Sequence, residues 1–432
     1  MKTKSSRFPQ FYKKTMEERL SLLADFANLT QEEVAALSSQ GALTLEQADK
    51  MVENAIGIYS LPLGLGLNFL INGHDYVIPM AVEEPSIIAA VSSIAKLVRE
   101  AGGFYSESTE RRMIGQIQIV NVPDCEQAKA NILKHQSLLV EQANAAHPSL
   151  KKRGGGALEI NVRILNQEPG ASFPPMLVVH LIVDTQEAMG ANMVNTMVEA
   201  IASKVAELTS GEVHLRILSN FVDECLATAH IVLPPNLLAT DTLSGEEVRD
   251  RLISAYQFAH SDIYRAVTHN KGVMNGIDAA VIASGNDWRA VEAAAHAYAA
   301  RDGHYGSMTQ WTIDEDGNLC GMLTLPMPVG TVGGSIKVHP IAKLTQKITG
   351  IQSARELSQL IVTVGLAQNF GAMKALVTDG IQKGHMALQA RSLAMVVGAT
   401  GGLIDIIASE LVASGEINSS KAAEIMKEYK KV

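Results

Sequence analysis

Apolar positions along the chain recur at two spacings, one helical and one strand-like, and their order sketches the fold. Residues 14–50 carry apolar side chains at Leu20, Leu23 and Phe26, then at Val34 and Leu37, which predicts helices. From Glu53 to Gly73, Gly57, Gly64 and Gly66 interrupt apolar residues, and Asn72-Gly73 closes the stretch as a turn. Tyr76 to Met80 fits a strand. Ile87 to Arg99 is a strongly apolar helix stopped by Gly102-Gly103. Pro85 is expected at its first position, with acidic residues beside the helix start.

The clearest pattern runs from about 112 to 219. Ile117 and Ile119 alternate with Gln116 and Gln118, as in a half-buried strand. Val120 and Val122 keep the strand character but shift the alternation by one. Residues 125–146 are helical. Ile160, Val162 and Ile164 alternate again, and Met176 to Val183 gives a third strand. Met189, Met193, Met197, Ile201, Val205 and Leu208 then form one helix face within 187–208. Val213, Leu215 and Ile217 complete the order β-α-β-β-α-β, that of a ferredoxin-like domain. Beyond it the chain turns helical over Glu246 to His269 and Asp287 to Ala300. Glycine-rich, strand-like residues follow from Trp311 to Val338, then helices at 340–349 and 353–376. The tail from 379 is helical and alanine-rich, breaks at Gly398, Gly401 and Gly402, and ends in a basic stretch, Lys427 to Lys431.

Composition narrows the function. The 432 residues predict two or three domains, and 47% apolar against 19% charged residues excludes a disordered chain. A net charge of −9 disfavours a nucleic-acid coat. Cys125, Cys225 and Cys320 show no CxxC spacing, which argues against a disulfide scaffold or structural zinc site and suits a reducing cytosol. No apolar run is expected to reach the ~18 residues of a membrane span. The longest candidate, Leu393 to Ile404, is followed by Asp405, and the polar, basic N-terminus leads into no apolar signal segment.

Four places carry polar residues that neither a plain core nor a plain surface demands. Glu83-Glu84-Pro85-Ser86 reads either as helix capping or as an acid held near an apolar helix, fit to donate a proton. His269 to Gly276, leading to Ser284-Gly285-Asn286-Asp287, reads either as a loop-built site or as two solvated turns. In the first reading Lys271 stabilises an oxyanion and an aspartate keeps it charged; in the second Asn286 or Asp287 only caps a helix. His385, in Gly384-His385-Met386, is either structural or a general acid on a mobile flap. No GxGxxG follows a strand, so a Rossmann domain is disfavoured. Asp184 and Glu187 have capping-box spacing before a long helix, where free N–H groups and Gly190 would admit a phosphate; the plainer reading is a tight turn. Lys151-Lys152-Arg153 before Gly154-Gly155-Gly156 is a cationic turn, either solvated or holding a further phosphate.

Taken together these segments resemble 3-hydroxy-3-methylglutaryl-CoA reductase of the soluble bacterial type (class II), over nearly the whole chain. The matching stretches are Glu53 to Gly57, Pro79 to Ser86, Glu187 to Asn192, Tyr264 to Gly276, Gly285-Asn286-Asp287 and Gly384 to Arg391. Each alone is weak; six in family order are specific. Ala55 stands where the family's ENVIG has Val, and Glu187 where its DAMGAN nucleotide motif has Asp. Neither change puts the chemistry in doubt.

The resemblance implies an α+β fold. A large helix-rich acyl-CoA domain (1–111 and 220–378) is interrupted by a small ferredoxin-like NAD(P)-binding domain (112–219) and followed by a C-terminal flap (379–432). It implies a homodimer or higher homo-oligomer with sites at the subunit interface, in the cytoplasm, with no metal, nucleic acid or membrane. By motif the catalytic set is Glu84, Lys271, Asp287 and His385. Ser86, Arg265, Asn275 and Asn220 would hold the hydroxymethylglutaryl part, Arg265 suiting its free carboxylate. Glu187, Met189, Gly190, Ala191 and Asn192, with Lys152 and Arg153, would hold the nucleotide. The implied reaction reduces 3-hydroxy-3-methylglutaryl-CoA to mevalonate and CoA through a hemithioacetal and mevaldehyde, with two NAD(P)H. Lys271 stabilises the oxyanion, Asp287 holds Lys271 and couples it to Glu84, His385 protonates the CoA thiolate, and Glu84 supplies the second step's proton. The cationic turn favours NADPH over NADH. The rivals are a non-redox acyl-CoA thioester enzyme and a non-catalytic acyl-CoA or nucleotide sensor. The first needs no central lysine, and the second would fit a broken catalytic set.

Overall fold

The computed structural model describes residues 4–38, 43–166, 168, 170, 172–378 and 380–429, with the side chains of 335 and 381–388 set aside. Three short helices open the chain: α1 (Met16–Ala27), α2 (Gln31–Ser38) and α3 (Leu45–Met51). Thr15 and Thr44 begin α1 and α3 with capping boxes that satisfy otherwise free N–H groups. The glycine-interrupted stretch then forms an antiparallel hairpin, β1 (Leu63–Ile71) and β2 (His74–Ala81), turning at Asn72-Gly73. Only its second strand is predicted by the apolar pattern. Helix α4 (Ile87–Glu100) lies against β1 and buries Ile87, Val91, Ile94, Ala95 and Val98, an i, i+4, i+7 stripe.

The next strands are β3 (Tyr105–Ser108) and β4 (Arg112–Val120). After β4 come α5 (Cys125–Lys134), α6 (Gln136–Ala146) and α7 (Pro148–Lys152), then β5 (Gly156–Leu165), β6 (Met176–Asp184), α8 (Ala191–Thr209) and β7 (Glu212–Ser219). Strands β4 to β7 form one antiparallel sheet in the order β5-β6-β4-β7. Leu177, Val179, Leu181 and Val183 alternate into its core, meeting Val194, Met197, Val198, Ile201 and Val205 of α8. The shifted alternation after Ile119 has a simple cause. The strand ends at Val120, Asn121 takes a left-handed φ of 53°, and Val122 reaches the same core from outside the sheet.

The chain then returns through β8 (Leu226–Leu233), α9 (Gly245–Ser261), α10 (Ile263–Ala283), α11 (Trp288–Ala299), β9 (Thr309–Ile313), β10 (Leu319–Pro326), α12 (Pro340–Thr349) and α13 (Ala354–Val377). Its sheet has the order β3-β8-β10-β9, so β3 from before the insert pairs with β8 after it. Helix α13 runs through this core, with Leu360, Ile361, Val362, Val364, Leu366 and Phe370 all buried. Truncating one such side chain to alanine costs about 2–5 kcal/mol. Contrary to the sequence expectation, α13 is long and apolar enough to cross a membrane, but 67% of that window is buried inside the molecule. The tail folds as α14 (Ile381–Val396), α15 (Gly402–Ser414) and α16 (Ser419–Tyr429) around a separate small core. Lys430 and Lys431 of the basic stretch lie outside the described residues.

The segment from His269 to Gly276 is not a loop. It is the middle of α10, a 21-residue helix. The two glycines are not turn residues. A Cβ at Gly276 would sit 2.9 Å from Cβ of Gln368 and 3.1 Å from the Val364 carbonyl oxygen, so glycine there lets α10 lie against α13.

Candidate functional site

Helix α10 presents Lys271 to the loop between β2 and α4. Asp262 caps the helix, accepting from the Arg265 N–H at 2.8 Å. Lys271 Nζ reaches Glu84 Oε2 at 2.9 Å, joining residues 187 positions apart. Both side chains are largely accessible, 60% and 40% exposed. Glu84 therefore makes no cap of α4: it lies two residues before the N-cap and pairs with Lys271. Helix α4 begins at Ile87 as expected, but Pro85 lies outside it rather than at its first position, and Ser86 is the N-cap with a left-handed φ of 76° and no side-chain cap. The chain bend at Ser86 points Glu84 across to α10.

Asp287 is not brought to Lys271. It is the N-cap of α11, accepting from the N–H groups of Arg289 and Ala290 at 3.0 and 3.2 Å and pairing with the Arg289 guanidinium at 3.3 Å. Helix-start N–H groups and a neighbouring cation compete for this carboxylate and hold it. In this structure the carboxyl group beside Lys271 is that of Glu84. His385 lies on α14, and its side chain is outside the described residues.

Arg265 and Asn275 flank Lys271 along α10. Asn275 follows it by four residues and shares its helix face. Arg265 is half-buried, and burial pushes its guanidinium pKa down. Neither side chain has an ion pair or hydrogen bond among the described residues, so both keep donors for a bound anion or carbonyl. Ser86 sits two residues from Glu84. Asn220 is exposed in the bend after β7.

Beneath Lys271 lies a buried polar network that the sequence reading missed. Asn270 accepts from the Met308 N–H and donates to the Gly306 carbonyl, both at 2.9 Å, which fixes α10 to residues 306–308. His269 Nε2 accepts from Asn369 Nδ2 at 3.1 Å, while Asn369 Oδ1 accepts from Trp311 Nε1 and Thr309 Oγ1. That orientation leaves the imidazole proton on Nδ1. Burial pushes the His269 pKa down to about 3, so the ring is neutral. An asparagine within the apolar run of α13 was the available signal. Further along α10, Asp278 meets Glu292, whose carboxylate lies 3.0 Å from His296 Nε2. His296 Nδ1 in turn lies 2.8 Å from the Tyr305 hydroxyl.

The second candidate region is the turn between β6 and α8. The expected capping box is absent. Asp184 accepts instead from the Gln186 backbone and side chain at 2.8 and 2.6 Å. Helix α8 begins at Ala191, so Glu187, Ala188 and Met189 lie in the turn. Gly190 is its N-cap, with φ 92° and no side-chain cap, and a Cβ there would lie 2.3 Å from Thr185 Cγ2. The open N–H groups at Ala191, Asn192 and Met193 fit a phosphate. The Glu187 carboxylate is committed elsewhere. Its Oε2 accepts from Thr331 Oγ1 at 2.8 Å and from the Ala354 N–H at 2.6 Å.

Lys151 and Lys152 end α7, so they belong to a helix terminus rather than a turn, and Arg153 is the C-cap. They are exposed, without a carboxylate partner among the described residues. Gly155 packs against the turn between β6 and α8: a Cβ there would sit 2.7 Å from the Asp184 carbonyl and 2.8 Å from Gln186 Cγ. Gly155 thus ties the segment that carries these cations to Asp184 and Gln186, before α8. Among the described residues no cluster of His, Cys, Asp and Glu has the arrangement of a metal site.

The sequence model of the hydroxymethylglutaryl-coenzyme A reductase family matches residues 15–390. The 3-hydroxy-3-methylglutaryl-coenzyme A reductase of Archaeoglobus fulgidus is 48% identical over 422 residues, 98% of this chain and 94% of that one. A probable reductase of the same name from Borreliella burgdorferi is 35% identical over 349 residues, 79% of this chain and 77% of that one. Among solved structures, the Streptococcus pneumoniae reductase aligns with a TM-score of 0.83 at 44% identity, over 98% of this chain and all of that one. A class II structure from the same organism, described as bound to NADPH in open conformations, aligns with a TM-score of 0.81 at 44% identity, over 96% of this chain and all of that one.

Proposed function

The chain belongs to the hydroxymethylglutaryl-coenzyme A reductase family, and we propose that Glu84, Lys271, Asp287 and His385 run its reaction here. That reaction is the four-electron reduction of 3-hydroxy-3-methylglutaryl-CoA to mevalonate and CoA, with two equivalents of reduced nicotinamide. The observation that carries the assignment is the Lys271–Glu84 contact at 2.9 Å. It puts a cation and a proton donor side by side at the junction of α10 and the β2–α4 loop.

Each residue has a separate task. The thioester oxygen gains negative charge as the carbonyl carbon is reduced, and Lys271 holds that charge. Glu84, in its protonated form, donates the proton when mevaldehyde becomes mevalonate. His385, assigned by its motif alone, protonates the departing CoA thiolate. Asp287 joins this set when its carboxylate leaves the α11 cap. Arg265, with Ser86, Asn275 and Asn220, holds the free carboxylate and hydroxyl of the acyl group.

Reduced nicotinamide supplies the hydride at each step when bound. We assign its phosphates to the α8 N-terminus at Gly190, Ala191 and Asn192, beside Met189. Lys152 and Arg153, on the segment that Gly155 packs against Asp184 and Gln186, fit the adenosine 2′-phosphate, which favours NADPH over NADH. We divide the chain into 1–111 with 220–378, 112–219 and 379–432, supported by four cores that follow this division: two in the first part, one in the second that also takes in Val222 and Cys225, and one in the tail. We also propose a homodimer. Val52, Ile56 and Tyr59 stand exposed on a segment without regular structure, and Ile263, Tyr264 and Val267 stand exposed at the start of α10. Apolar surface of this extent suits a subunit interface beside the site. Three free thiols suit the cytoplasm.

The test follows nicotinamide absorbance with pure protein and 3-hydroxy-3-methylglutaryl-CoA, using NADPH and NADH in parallel, with light scattering for the oligomer. Two equivalents oxidised per thioester are expected. Thioester loss without nicotinamide oxidation would instead show a thioester hydrolase.

A further inference from the structure

The turn entering α8 is locked to the loop after β10, and that loop is locked in turn to the residue before Asp287. Besides its two carboxylate contacts, Glu187 accepts from the Thr331 N–H at its own carbonyl, at 2.8 Å. Gly330 fills the gap between loop and turn: a Cβ there would sit 2.7 Å from Met189 N and 2.9 Å from the Glu187 carbonyl oxygen. The far edge of Gly330 is held by Asn286. The Asn286 side chain accepts from the Gly330 N–H at 2.7 Å and donates to the Gly330 carbonyl at 3.0 Å. Arg111, 6% exposed, binds both sides of the lock. It donates to the carbonyls of Gln186 and Ala188 in the turn, and of Met327 and Val329 in the loop.

We propose that Glu187 is a positioning residue that sets Asp287 through Gly330 and Asn286, and is not a ligand of the nicotinamide nucleotide. The proposal rests on the reductase reading above. Its side-chain contacts run to the large domain, and both fall on one oxygen. The acceptor sits at the start of α13, where a carboxylate also answers the helix dipole. Length matters here. An aspartate would withdraw the carboxylate by one methylene, roughly 1.5 Å, out of reach of the Ala354 N–H. That accounts for Glu187 in a motif whose related form begins with Asp. A nucleotide settling on the α8 turn presses on Gly330, and Gly330 carries the displacement to Asn286 and the neighbouring catalytic carboxylate.

The experiment compares Glu187→Ala, Glu187→Asp, Glu187→Gln, Asn286→Ala and the Glu187→Ala/Asn286→Ala double variant in the full chain. Readouts are kcat at saturating NADPH, the NADPH dissociation constant by nicotinamide fluorescence, and thermal melting to count folded enzyme. Glu187→Ala and Glu187→Asp should each lower kcat about tenfold per folded molecule, the scale of one lost charge-assisted hydrogen bond. Glu187→Gln keeps the accepting oxygen and should restore most of it. Asn286→Ala should match the loss, and the double variant should be no worse than either single, since both break one path. NADPH affinity should stay within about threefold. A tenfold weaker NADPH affinity with unchanged kcat would return Glu187 to the cofactor and overturn the proposal, as would additive losses in the double variant. If Glu187→Ala does not fold, Thr331→Val removes one of the same contacts and the same comparison stands. Wild-type protein that oxidises no nicotinamide would sink the reductase reading itself, a result separable from any difference among variants.

Discussion

Lys271 and Arg111 are both cations set against a carbonyl-rich or carboxylate-bearing turn, and the protein treats them in opposite ways. The Lys271 side chain is 60% exposed and meets one carboxylate at the junction of two elements. Such a pair adds little stability, because solvent screens it and both chains lose freedom. Arg111 is buried, and its donors are consumed by four backbone carbonyls and Cys225 Sγ. The difference separates two uses of charge. A cation left within reach of a ligand is free to answer charge that develops during a reaction. A cation saturated by the backbone is spent on holding two segments in register.

Substitution should expose that division. Lys271→Ala should lower kcat about thousandfold or more, the scale of losing a principal oxyanion stabiliser. Its melting temperature should stay near wild type. Steady-state rates and calorimetry on one preparation check both halves, and an enzyme retaining a tenth of its rate would remove Lys271 from the chemistry. Arg111→Met should do the reverse. It strands carbonyls at Gln186, Ala188, Met327 and Val329, and a loss of about 3–5 kcal/mol in urea unfolding is expected. A variant as stable as wild type would show that water replaces the guanidinium without cost.

How far the sequence foretold these two regions depends on how local each one is. The α8 stripe and the strands of the small sheet repeat at fixed spacings, so they are readable from neighbours alone. Helix α10 was misread at Gly272 and Gly276 because a glycine that breaks a helix and one that admits a packing partner look alike in sequence. Gln368 and Val364, which decide the matter at Gly276, lie about ninety residues away. The motifs singled out Glu84, Lys271 and Asp287 but not which of them touch. Lys271 was expected to hold Asp287 and instead holds Glu84, since the α11 N–H groups claim the aspartate. Arg111 leaves no mark in the sequence for the same reason, and Asn369 shows only as a polar residue in the apolar run of α13, as every partner of each is set by tertiary packing.

A third group of cations tests whether exposure alone marks function. Lys151, Lys152 and Arg153 are exposed like Lys271 but lie on the segment that Gly155 packs against Asp184 and Gln186. Replacing all three with glutamine should raise KM for NADPH about tenfold more than for NADH, since only NADPH brings the 2′-phosphate. Initial rates across a cofactor range give both constants. Equal changes for the two nucleotides would make these cations ordinary solvated surface.

The smallest effect concerns buried acids and bases on α10, where stability should carry a readable pH signature. Burial, a hydrogen bond to Glu292 and repulsion from it push the Asp278 pKa up to about 8. The folded protein therefore holds a proton on Asp278 that the unfolded chain, with an ordinary carboxylate, has lost. Stability from this group is full below about 4 and drains away as pH rises to about 8. His269 runs the other way. Its pKa is pushed down to about 3 by burial and by nearby Arg265, so the unfolded chain binds the extra proton, and stability rises with pH between about 3 and 6.5. Glu292, lowered chiefly by its hydrogen bond to His296, adds to the rise at the acid end. Below about 6.5 the opposing slopes offset each other, and above it Asp278 acts alone. Wild-type protein should thus lose about 1–2 kcal/mol between pH 6.5 and 8 and then level off. Asp278→Asn should be flat over that window and steeper below it, as His269 and Glu292 act unopposed. Urea unfolding at half-unit pH steps resolves the two curves, and parallel curves would show that Asp278 ionises freely despite its burial.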